Sequence, residues 1–510
     1  MSHPVRSAAR LFPLGRAAIF FSVLAPLLVA PAVAGSHSQN EVTRDFQKTV
    51  TLSANQGVSL EHRFGHVRIH GESGRDVKIA ASIRVSDSNA NDAQEFLDKI
   101  QIEVREDSAG VHIRTIYPER RFAILRIGGH TSFSVDYDIA MPIEAPLEVH
   151  NAFGNVEVAR VHGSARIENG NGALSVQDSG PAKVVNAFGR IDLSGASGAC
   201  DITDNNGAVE VSNVKGALEI RNRFGGISAS EIGGAVNIHG GNGRVDLTRA
   251  GGGATVNNSF GEVIVHTVSG GLNVTNSNGR IEVADVTGNA ELTTSFGSVQ
   301  AQRIGGDVIA KDNNGWVEIN EAHGLVTVNT SFGNVKAVNL HKGANVVTGN
   351  GGIELNTVQG DVYAKTSFGS IDAQNIKGKF TGQDSNGSVT ARSIEGDTSV
   401  TTSFSGVTLE GVQGKVTVEN QNGGVDVSLA SSSCRDVVIK TSFSHIGIRV
   451  PANGGYRVRA KTSFGRINTQ LPVTATGTMG SDSLDGTIGG GGCTLELTNS
   501  NGNIDISRAG

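Results

Sequence analysis

The sequence predicts an all-β fold in which the chain winds into one parallel β-solenoid, and three observations support this prediction. Two residue types recur every 36 residues, offset by 18 from one another: Phe188, Phe224, Phe260, Phe296, Phe332, Phe368 and Phe404, and Asn206, Asn242, Asn278, Asn314, Asn350, Asn386 and Asn422. Each of these asparagines and most of these phenylalanines precede a glycine. Glycine is abundant, at 68 of 510 residues, whereas proline is rare at 10, which favours tight corners between strands. A fixed short period of this kind is typical of a stacked repeat.

A single half-repeat has the pattern of two short strands. In FGEVIVHTVSGGLNVT, residues 260–275, Val263 and Val265 alternate with outward positions, and Leu272 and Val274 do the same after the Gly270-Gly271 corner. Period-2 alternation between glycine corners indicates strands with one buried face. No helical spacing of apolar residues persists in this region.

Two such strands become stable when each lies parallel on its equivalent 18 residues later, because every backbone donor then finds an acceptor. We expect aliphatic columns inside the coil, with Val263, Ile281 and Val299 in one and Val265, Val283 and Ala301 in another. About 17 to 18 coils at ~4.8 Å each give a rod roughly 80 to 90 Å long.

The alternation of Phe with Asn has two interpretations. The favoured one is packing, because phenyl rings in consecutive coils would crowd at ~4.8 Å while the smaller Asn leaves each ring room. The alternative is an exposed aromatic stripe that serves as a ligand platform. The solvent exposure of the rings distinguishes the two.

The chain divides into five predicted segments. Residues 1–34 form a predicted signal peptide, since Arg6, Arg10 and Arg16 precede an apolar run and an Ala32-Val33-Ala34 cleavage site. Residues 35–150 form a mixed N-terminal cap with one helix near residues 91–100. The regular solenoid spans 151–470, a Gly-rich loop spans 471–492, and a terminal coil spans 493–510. We therefore expect export to the periplasm or the cell surface, and no membrane span.

Three cysteines, Cys200, Cys434 and Cys493, do not suggest a disulfide framework. Cys200 and Cys434 are separated by about 13 coils, on the order of 60 Å, which is far beyond disulfide reach. Buried free thiols are the expected state.

The segment VDYDIAMPIEAPLEVHNAFGNVEVARVHG at residues 135–163, the repeated strands that begin with glycine, and the Gly-rich stretch before NGNIDIS resemble the bacterial putative-adhesin family. That family is a β-strand-repeat domain of unknown function, and the resemblance covers nearly all of the chain after residue 34. It implies a β-repeat fold and export. It implies no cofactor and no catalytic residue.

Several outward residues are weak candidates for a binding face. Acidic side chains occupy one position in the Asn-Gly coils, at Glu210, Asp246, Glu282, Glu318, Glu354 and Asp426, about 9.6 Å apart. Trp316, the single tryptophan, lies beside Asn314-Gly315 and could stack on a sugar. The favoured interpretation of the acidic column is a solvated face that keeps the rod soluble, and the alternative is weak binding of a cation or basic ligand.

No catalytic, metal or cofactor site is predicted. Calcium-binding β-rolls place an aspartate one position earlier than Asp246 in its turn, and one residue of shift reverses the face of a strand. A net charge of -6 and few aromatic residues argue against nucleic-acid binding. The sequence thus predicts an exported, non-enzymatic adhesin or scaffold that binds a cell-surface glycan or protein through an extended face. The alternative is a carbohydrate-active β-helix enzyme, which needs two facing carboxylates in a cleft.

Overall fold

The computed structural model describes residues 40–118, 131–430 and 434–509. The predicted signal peptide, residues 1–34, lies outside the described residues. Strands make up 66% of the chain, and the coils stack in parallel into a β-solenoid of about 17 turns. The predicted fold class is therefore confirmed.

Each coil contributes one strand to each of two parallel sheets. Sheet A holds the strands that follow a Phe-Gly or Asn-Gly corner, and sheet B holds the strands that lead to the next one. In sheet A, Val263 pairs with Ile281 and Ile281 with Val299, so equivalent residues stack in register. These three side chains are fully buried, and the predicted aliphatic columns are present.

The strands follow one another in chain order through the molecule. The N-terminal region contains β1 (Asn40–Thr51), β2 (Gly57–Glu61), β3 (Val67–Glu72), β4 (Asp76–Asp87), α1 (Ala90–Lys99), β5 (Gln101–Glu106), β6 (Gly110–Ile116) and β7 (Ser132–Pro142). The first half of the regular coils contains β8 (Leu147–Phe153), β9 (Val156–Val161), β10 (Ala165–Asn171), β11 (Leu174–Ser179), β12 (Ala182–Phe188), β13 (Ile191–Ala196), β14 (Cys200–Asn206), β15 (Val209–Val214), β16 (Leu218–Phe224), β17 (Ile227–Ile232), β18 (Val236–Asn242), β19 (Val245–Ala250), β20 (Ala254–Phe260), β21 (Val263–Val268), β22 (Leu272–Asn278) and β23 (Ile281–Val286).

The second half of the regular coils contains β24 (Ala290–Phe296), β25 (Val299–Ile304), β26 (Val308–Asp312), β27 (Val317–Ala322), β28 (Val326–Thr330), β29 (Val335–Leu340), β30 (Ala344–Thr348), β31 (Ile353–Val358), β32 (Val362–Lys365), β33 (Ile371–Ile376), β34 (Phe380–Gln383), β35 (Val389–Ile394), β36 (Thr398–Thr402), β37 (Val407–Val412), β38 (Val416–Asn420) and β39 (Val425–Leu429). The C-terminal region contains β40 (Val437–Phe443), β41 (Ile446–Val450), β42 (Tyr456–Phe464), β43 (Ile467–Thr469), β44 (Val473–Met479), β45 (Ser483–Ile488), β46 (Cys493–Asn501) and β47 (Ile504–Arg508).

The N-terminal region belongs to the stack instead of merely covering it. Strands β2 and β3 form a coil that lies between the β6–β7 coil and the β8–β9 coil. The chain passes directly from β7 to β8. The first coil in the sequence, β2–β3, is therefore the second coil in the stack, because the β6–β7 coil lies outside it. Antiparallel strands β1, β4 and β5 extend the two sheets beyond it, and α1 packs on β1 and β4.

The C-terminal region repeats this arrangement, which corrects three predictions. The last coil of the chain, β46–β47, is not last in the stack but lies between the β40–β41 and β42–β43 coils. The predicted Gly-rich loop at 471–492 contains the antiparallel hairpin β44–β45, because Leu484 and Ile488 alternate with small residues that suit a strand.

The third correction concerns the cysteines. The inserted strand brings Cys493 beside Cys434, 59 residues earlier, and the two form a disulfide with Cα atoms 5.8 Å apart. The prediction of free thiols was wrong for this pair because it assumed that coils stack in the order of the sequence. Cys200 is free and buried as predicted, and burial raises the pKa of its thiol to about 11.

A column of buried polar side chains runs inside sheet B, two residues before each Phe or Asn of the corner. Its members are Asn, Asp or Thr, apart from Gly240 before Asn242, and many of the Asn and Thr side chains donate a hydrogen bond to the carbonyl of a corner glycine in the preceding coil. Asn276 bonds Gly261 at 2.8 Å and Thr366 bonds Gly351 at 2.9 Å. The column therefore fixes the corners from within.

Candidate functional site: a ladder of exposed phenylalanines

The most prominent surface feature of the described residues is a column of phenylalanines whose side chains are about half exposed or more. Phe188 is paired with Asn206, and Asn206 with Phe224, so Phe and Asn alternate from coil to coil. We call this column the phenylalanine ladder. Its members are Phe153, Phe188, Phe224, Phe260, Phe296, Phe332, Phe368, Phe404, Phe443 and Phe464.

The favoured packing interpretation of these rings was wrong, because the rings point into solvent. The interior at the corner is filled by stacked glycine backbone: a Cβ on Gly261 would lie 2.3 Å from the carbonyl oxygen of Gly243, and one on Gly279 would lie 2.1 Å from that of Gly261. The inner Asn and Thr column occupies the remaining space. A phenyl ring has no room inside and is directed outward.

Crowding between coils does not explain the alternation either. Phe64 and Phe153 occupy adjacent coils, and their rings stack with centroids 5.4 Å apart and planes 6° from parallel. Neighbouring rings are thus compatible with this backbone. The fold therefore does not require that an Asn separate each ring from the next.

The asparagines leave the space between rings open. The side-chain amides of five of them donate to the carbonyl of the residue before the Phe in the neighbouring coil: Asn171, Asn314, Asn386, Asn422 and Asn501, with Asn386 to Ser367 at 3.0 Å and Asn422 to Ser403 at 3.1 Å. These amides are therefore held against the backbone. Consecutive rings are separated by two coils, ~9.6 Å, with a slot between them.

The ladder has two halves with different surroundings. In the N-terminal half (Phe153, Phe188, Phe224, Phe260) the rings are 45–54% exposed, and in the C-terminal half (Phe296, Phe332, Phe368, Phe404) they are 61–65% exposed. The first half is bordered by charged side chains: Arg190, Arg244 and Arg280 pair with Glu210, Asp246, Glu262 and Glu282, and the guanidinium of Arg223 lies 5.6 Å from the ring centroid of Phe224.

In the C-terminal half the residues directly beside the ladder are uncharged, and charged side chains such as Lys336 and Glu354 lie two residues further along the strands of sheet A. The positions two residues after each Phe or Asn are Ser298, Trp316, Asn334, Gly352, Ser370, Ser388, Gly406 and Gly424, and those one residue before are Ser, Asn, Gly or Gln. The rings of this half therefore protrude above neighbouring residues that are mostly small and uncharged.

The two ends of the ladder also differ. At the N-terminal end Phe64 and Phe153 lie in a cluster with Tyr117, Phe133 and Phe96, where Phe64 contacts Tyr117 and Phe133 edge to face. At the C-terminal end the inserted coil places Asn501 between Phe443 and Phe464. The alternation thus continues where the sequence spacing alone would put two phenylalanines side by side.

The predicted acidic candidates lie on the outer face of sheet A, beside the ladder. Glu210, Asp246, Glu282, Glu318 and Glu354 occupy equivalent outward positions two coils apart, as expected from the sequence. Several pair with a nearby cation, including Glu354 with Lys336 at 3.1 Å. Their binding role stays a prediction.

Trp316 lies at the border of the C-terminal half of the ladder and is 43% exposed. It occupies the position that Arg244 and Arg280 hold two and one repeats earlier. At this position an indole ring therefore takes the place of a guanidinium group. Trp316 therefore extends the apolar surface of this half.

A long groove runs along the opposite edge of sheet B, where each strand begins. Its volume is about 1630 Å³, and small residues such as Ala199, Ala217, Ala235, Gly253 and Gly271 form its floor. Asp201 and Glu219 lie in adjacent coils on its wall. Arg221 binds both carboxylates, and Lys183 binds Asp201 at 3.0 Å, so these acids are engaged in ion pairs.

Within the described residues, no three His, Cys, Asp or Glu side chains are grouped as a metal site would require. The one described helix, α1, has ten residues, and no described helix is long and apolar enough to cross a membrane. Three buried carboxylates stand out in the inner polar column. Burial raises the pKa of Asp204 to about 6 and raises those of Asp312 and Asp384 as well.

Comparison with known proteins adds little to this description. No protein-family model matches the sequence, and no curated protein matches it. Among solved structures, a putative cell adhesion protein from Clostridium sporogenes aligns over 92% of this chain and 100% of its own, at 8% identity and a TM-score of 0.16. A putative adhesin from Parabacteroides distasonis aligns over 61% and 97%, at 10% identity and a TM-score of 0.19. TM-scores this low support no inference about fold or function.

Proposed function

We propose that this chain is an exported, non-enzymatic adhesive rod that binds an extended partner through the phenylalanine ladder. The observation that carries the proposal is the regular column of ten exposed rings among the described residues. Soluble monomers rarely expose apolar surface of this extent, and such surface commonly marks an interaction site. The partner class is a cell-surface glycan or protein.

Export is supported by two features. The disulfide between Cys434 and Cys493 is of a kind that persists in oxidising compartments outside the cytosol. The sequence also begins with the basic, apolar and small-residue pattern of a signal peptide. A rigid rod about 80 Å long suits a protein that bridges a distance between surfaces.

A carbohydrate-active enzyme is the second candidate, and the groove beside sheet B favours it. Asp201 and Glu219 lie in adjacent coils, near the ~5 Å separation that retaining glycosidases use between their carboxyl groups. They lie side by side on one face of the sheet, both bound by Arg221, instead of facing each other across a cleft. We therefore rank this activity below adhesion.

The test of adhesion uses the chain from Gly35 onward, applied to a glycan array and to whole bacterial cells. Retention should fall at least tenfold for the double variant Phe332→Ser/Phe368→Ser. The matched control is Phe188→Ser/Phe224→Ser, which removes two rings from the charged half and should retain most binding. Equal retention of wild type and both variants would exclude the ladder as the binding face.

The enzyme candidate is tested in parallel by incubating the chain with the retained polysaccharides and measuring new reducing or unsaturated ends. We expect none. Product release that is lost in Glu219→Gln would replace adhesion with catalysis as the function.

A further inference from the structure

We propose that the partner of the phenylalanine ladder is a second copy of this chain, and that two rods join antiparallel with their rings interdigitated. This inference rests on the proposed function, because it names the occupant of the same face. Each ring of one copy would enter an asparagine slot of the other.

The spacing of the ladder makes it complementary to itself. Rings recur every second coil, ~9.6 Å, and in the slots of Asn314, Asn386, Asn422 and Asn501 the asparagine amide is bonded to the backbone. A ring inserted at the centre of a slot would lie ~4.8 Å from each neighbour along the rod, within the range of aromatic pairs. The chain already contains one such contact, between Phe64 and Phe153 at 5.4 Å.

Symmetry decides the orientation of the two rods. If the rods were parallel and related by a two-fold axis along their length, each Phe would face the same Phe of the partner, and rings would collide. A parallel pair shifted by one coil would not close, and it would leave unmatched surface for further copies. An antiparallel pair, with its two-fold axis perpendicular to the rods and between two coils, places every Phe opposite an Asn and closes as a dimer.

The apolar area is sufficient for a stable dimer. A phenylalanine side chain buries on the order of 200 Å² when it is fully covered. An antiparallel pair centred between Asn350 and Phe368 covers the seven rings from Phe260 to Phe464, which are 52–78% exposed. These seven rings offer roughly 900 Å² per copy. A standard interface buries about 800 Å² per partner. Ordinary monomers do not carry an exposed apolar stripe of this area.

Charge places the centre of the contact in the C-terminal half. The residues directly beside the rings there are Ser, Asn, Gly and Trp316, so the row of side chains nearest the centre of the contact carries no charge that must lose water. The corresponding positions of the N-terminal half hold Arg190, Arg223, Arg244 and Arg280. An antiparallel pair centred between Asn350 and Phe368 leaves the rings of Phe153, Phe188 and Phe224, with Arg190 and Arg223, outside the overlap, and places Arg244 and Arg280 in its outer coils.

The inserted coil at the C-terminal end also supports the insertion of a partner's rings into the slots. Without it, Phe443 and Phe464 would lie in consecutive coils and block a slot, whereas Asn501 keeps the slot open. Phe and Asn therefore alternate from coil to coil in the stack even where they do not alternate along the sequence. A partner that inserts a ring in every slot requires this regularity.

The experiment is sedimentation of the chain from Gly35 onward over a range of concentrations, with circular dichroism to verify folding of each variant. We expect a dimer, a dissociation constant at least about 100-fold weaker for Phe332→Ser/Phe368→Ser, and nearly unchanged association for Phe188→Ser/Phe224→Ser. A monomer at all concentrations, or equal weakening by both pairs, would overturn the proposal.

Cross-linking tests the orientation independently. A cysteine at Asn350, near the predicted two-fold axis, should link two copies through a short bismaleimide, whereas a cysteine at Asn206 should not. The wild-type chain is the control, because Cys200 is buried and Cys434 and Cys493 are joined to each other. Linkage at position 206 but not at 350 would contradict the antiparallel arrangement.

Failure of this inference can be distinguished from failure of the proposed function. A monomeric chain that is still retained on cells or glycans through Phe332 and Phe368 leaves adhesion standing and replaces the second copy with another partner. A dimer that neither binds cells nor aggregates beads coated with the chain leaves the dimer standing and removes adhesion.

Discussion

The two halves of the phenylalanine ladder are built on the same repeat, yet their surfaces differ. In the N-terminal half the rings are surrounded by ion pairs, and the guanidinium of Arg223 lies near Phe224. In the C-terminal half the rings protrude further, above small uncharged neighbours. The comparison shows that the solenoid fixes the spacing of the rings, whereas the neighbouring residues and the exposure of the rings differ between the two halves.

The most strongly affected property should be the stability of the C-terminal end, where the disulfide clamps the inserted coil. Replacing Cys434 and Cys493 by Ser removes a 59-residue cross-link, worth about 4 kcal/mol in the chain-entropy model. Hydrogen exchange should accelerate in the coils from Val437 onward and stay unchanged in the N-terminal half. Cys200→Ala, which removes a sulfur without removing a cross-link, is the control; uniform acceleration along the rod would contradict a local clamp.

The next largest effect concerns a buried carboxylate in the N-terminal half. No hydrogen bond of normal geometry reaches the Asp204 carboxylate, and burial raises its pKa from 3.8 to about 6. The folded chain therefore binds more protons than the unfolded chain between these two values, so stability falls as the pH rises through that window and stays reduced at pH 7. Asp204→Asn should remove this pH dependence and add about 2 kcal/mol at pH 7, measured by thermal unfolding.

The matched control for Asp204→Asn is Asp312→Asn in the C-terminal half. Asp312 accepts hydrogen bonds from the backbone N–H groups of Asn314 and Gly315, which stabilise its charged form. The gain at pH 7 should therefore be smaller. A larger gain at position 312 would show that these bonds do not offset burial.

A smaller effect is expected when the border of the N-terminal half is transplanted to the C-terminal half. Ser298→Arg with Ser370→Arg puts arginines where Arg190 stands in the first half. Self-association should weaken about tenfold, or ~1.4 kcal/mol, because each guanidinium must lose water on docking. Ser298→Asn with Ser370→Asn adds polar bulk without charge and should associate nearly as the wild type does. Equal weakening by the two pairs would assign the effect to size.

The smallest effect is spectroscopic. Trp316 is the single tryptophan and borders the C-terminal half, so its fluorescence reports on that half alone. Its emission should shift to shorter wavelength as the concentration rises through the dissociation constant. The Phe332→Ser/Phe368→Ser variant should show no shift. An unchanged emission in a chain that sediments as a dimer would place the contact elsewhere.

The sequence was sufficient to predict the solenoid because every coil repeats the same local pattern. Val263, Ile281 and Val299 were expected to stack, and they do. The order of coils at the two ends was not predictable, since insertion of β2–β3 and of β46–β47 leaves no mark in the period. For the same reason the pairing of Cys434 with Cys493 was missed.

Of the candidate site, only the spacing of the phenylalanines was predicted from the sequence. The position of each Phe at 36-residue intervals was evident, but the direction of the ring depends on how stacked glycines fill the corner. The inner polar column was also missed, although Asn258 and Asn276 fall on the same alternation as the aliphatic residues of their strands. That alternation was the signal that could have revealed it.

The inward placement of the last coil has a mechanical consequence. If the chain is pulled from its N-terminal side, tension first reaches β1, whose described pairing is with β4 on one side. If it is pulled from its C-terminal side, tension reaches β46 and β47, which are bonded to strands on both sides and so cannot be peeled away from one edge. Rupture there requires several parallel bonds to shear together. The C-terminal end of the rod is therefore held more firmly against a pulling force than the N-terminal end.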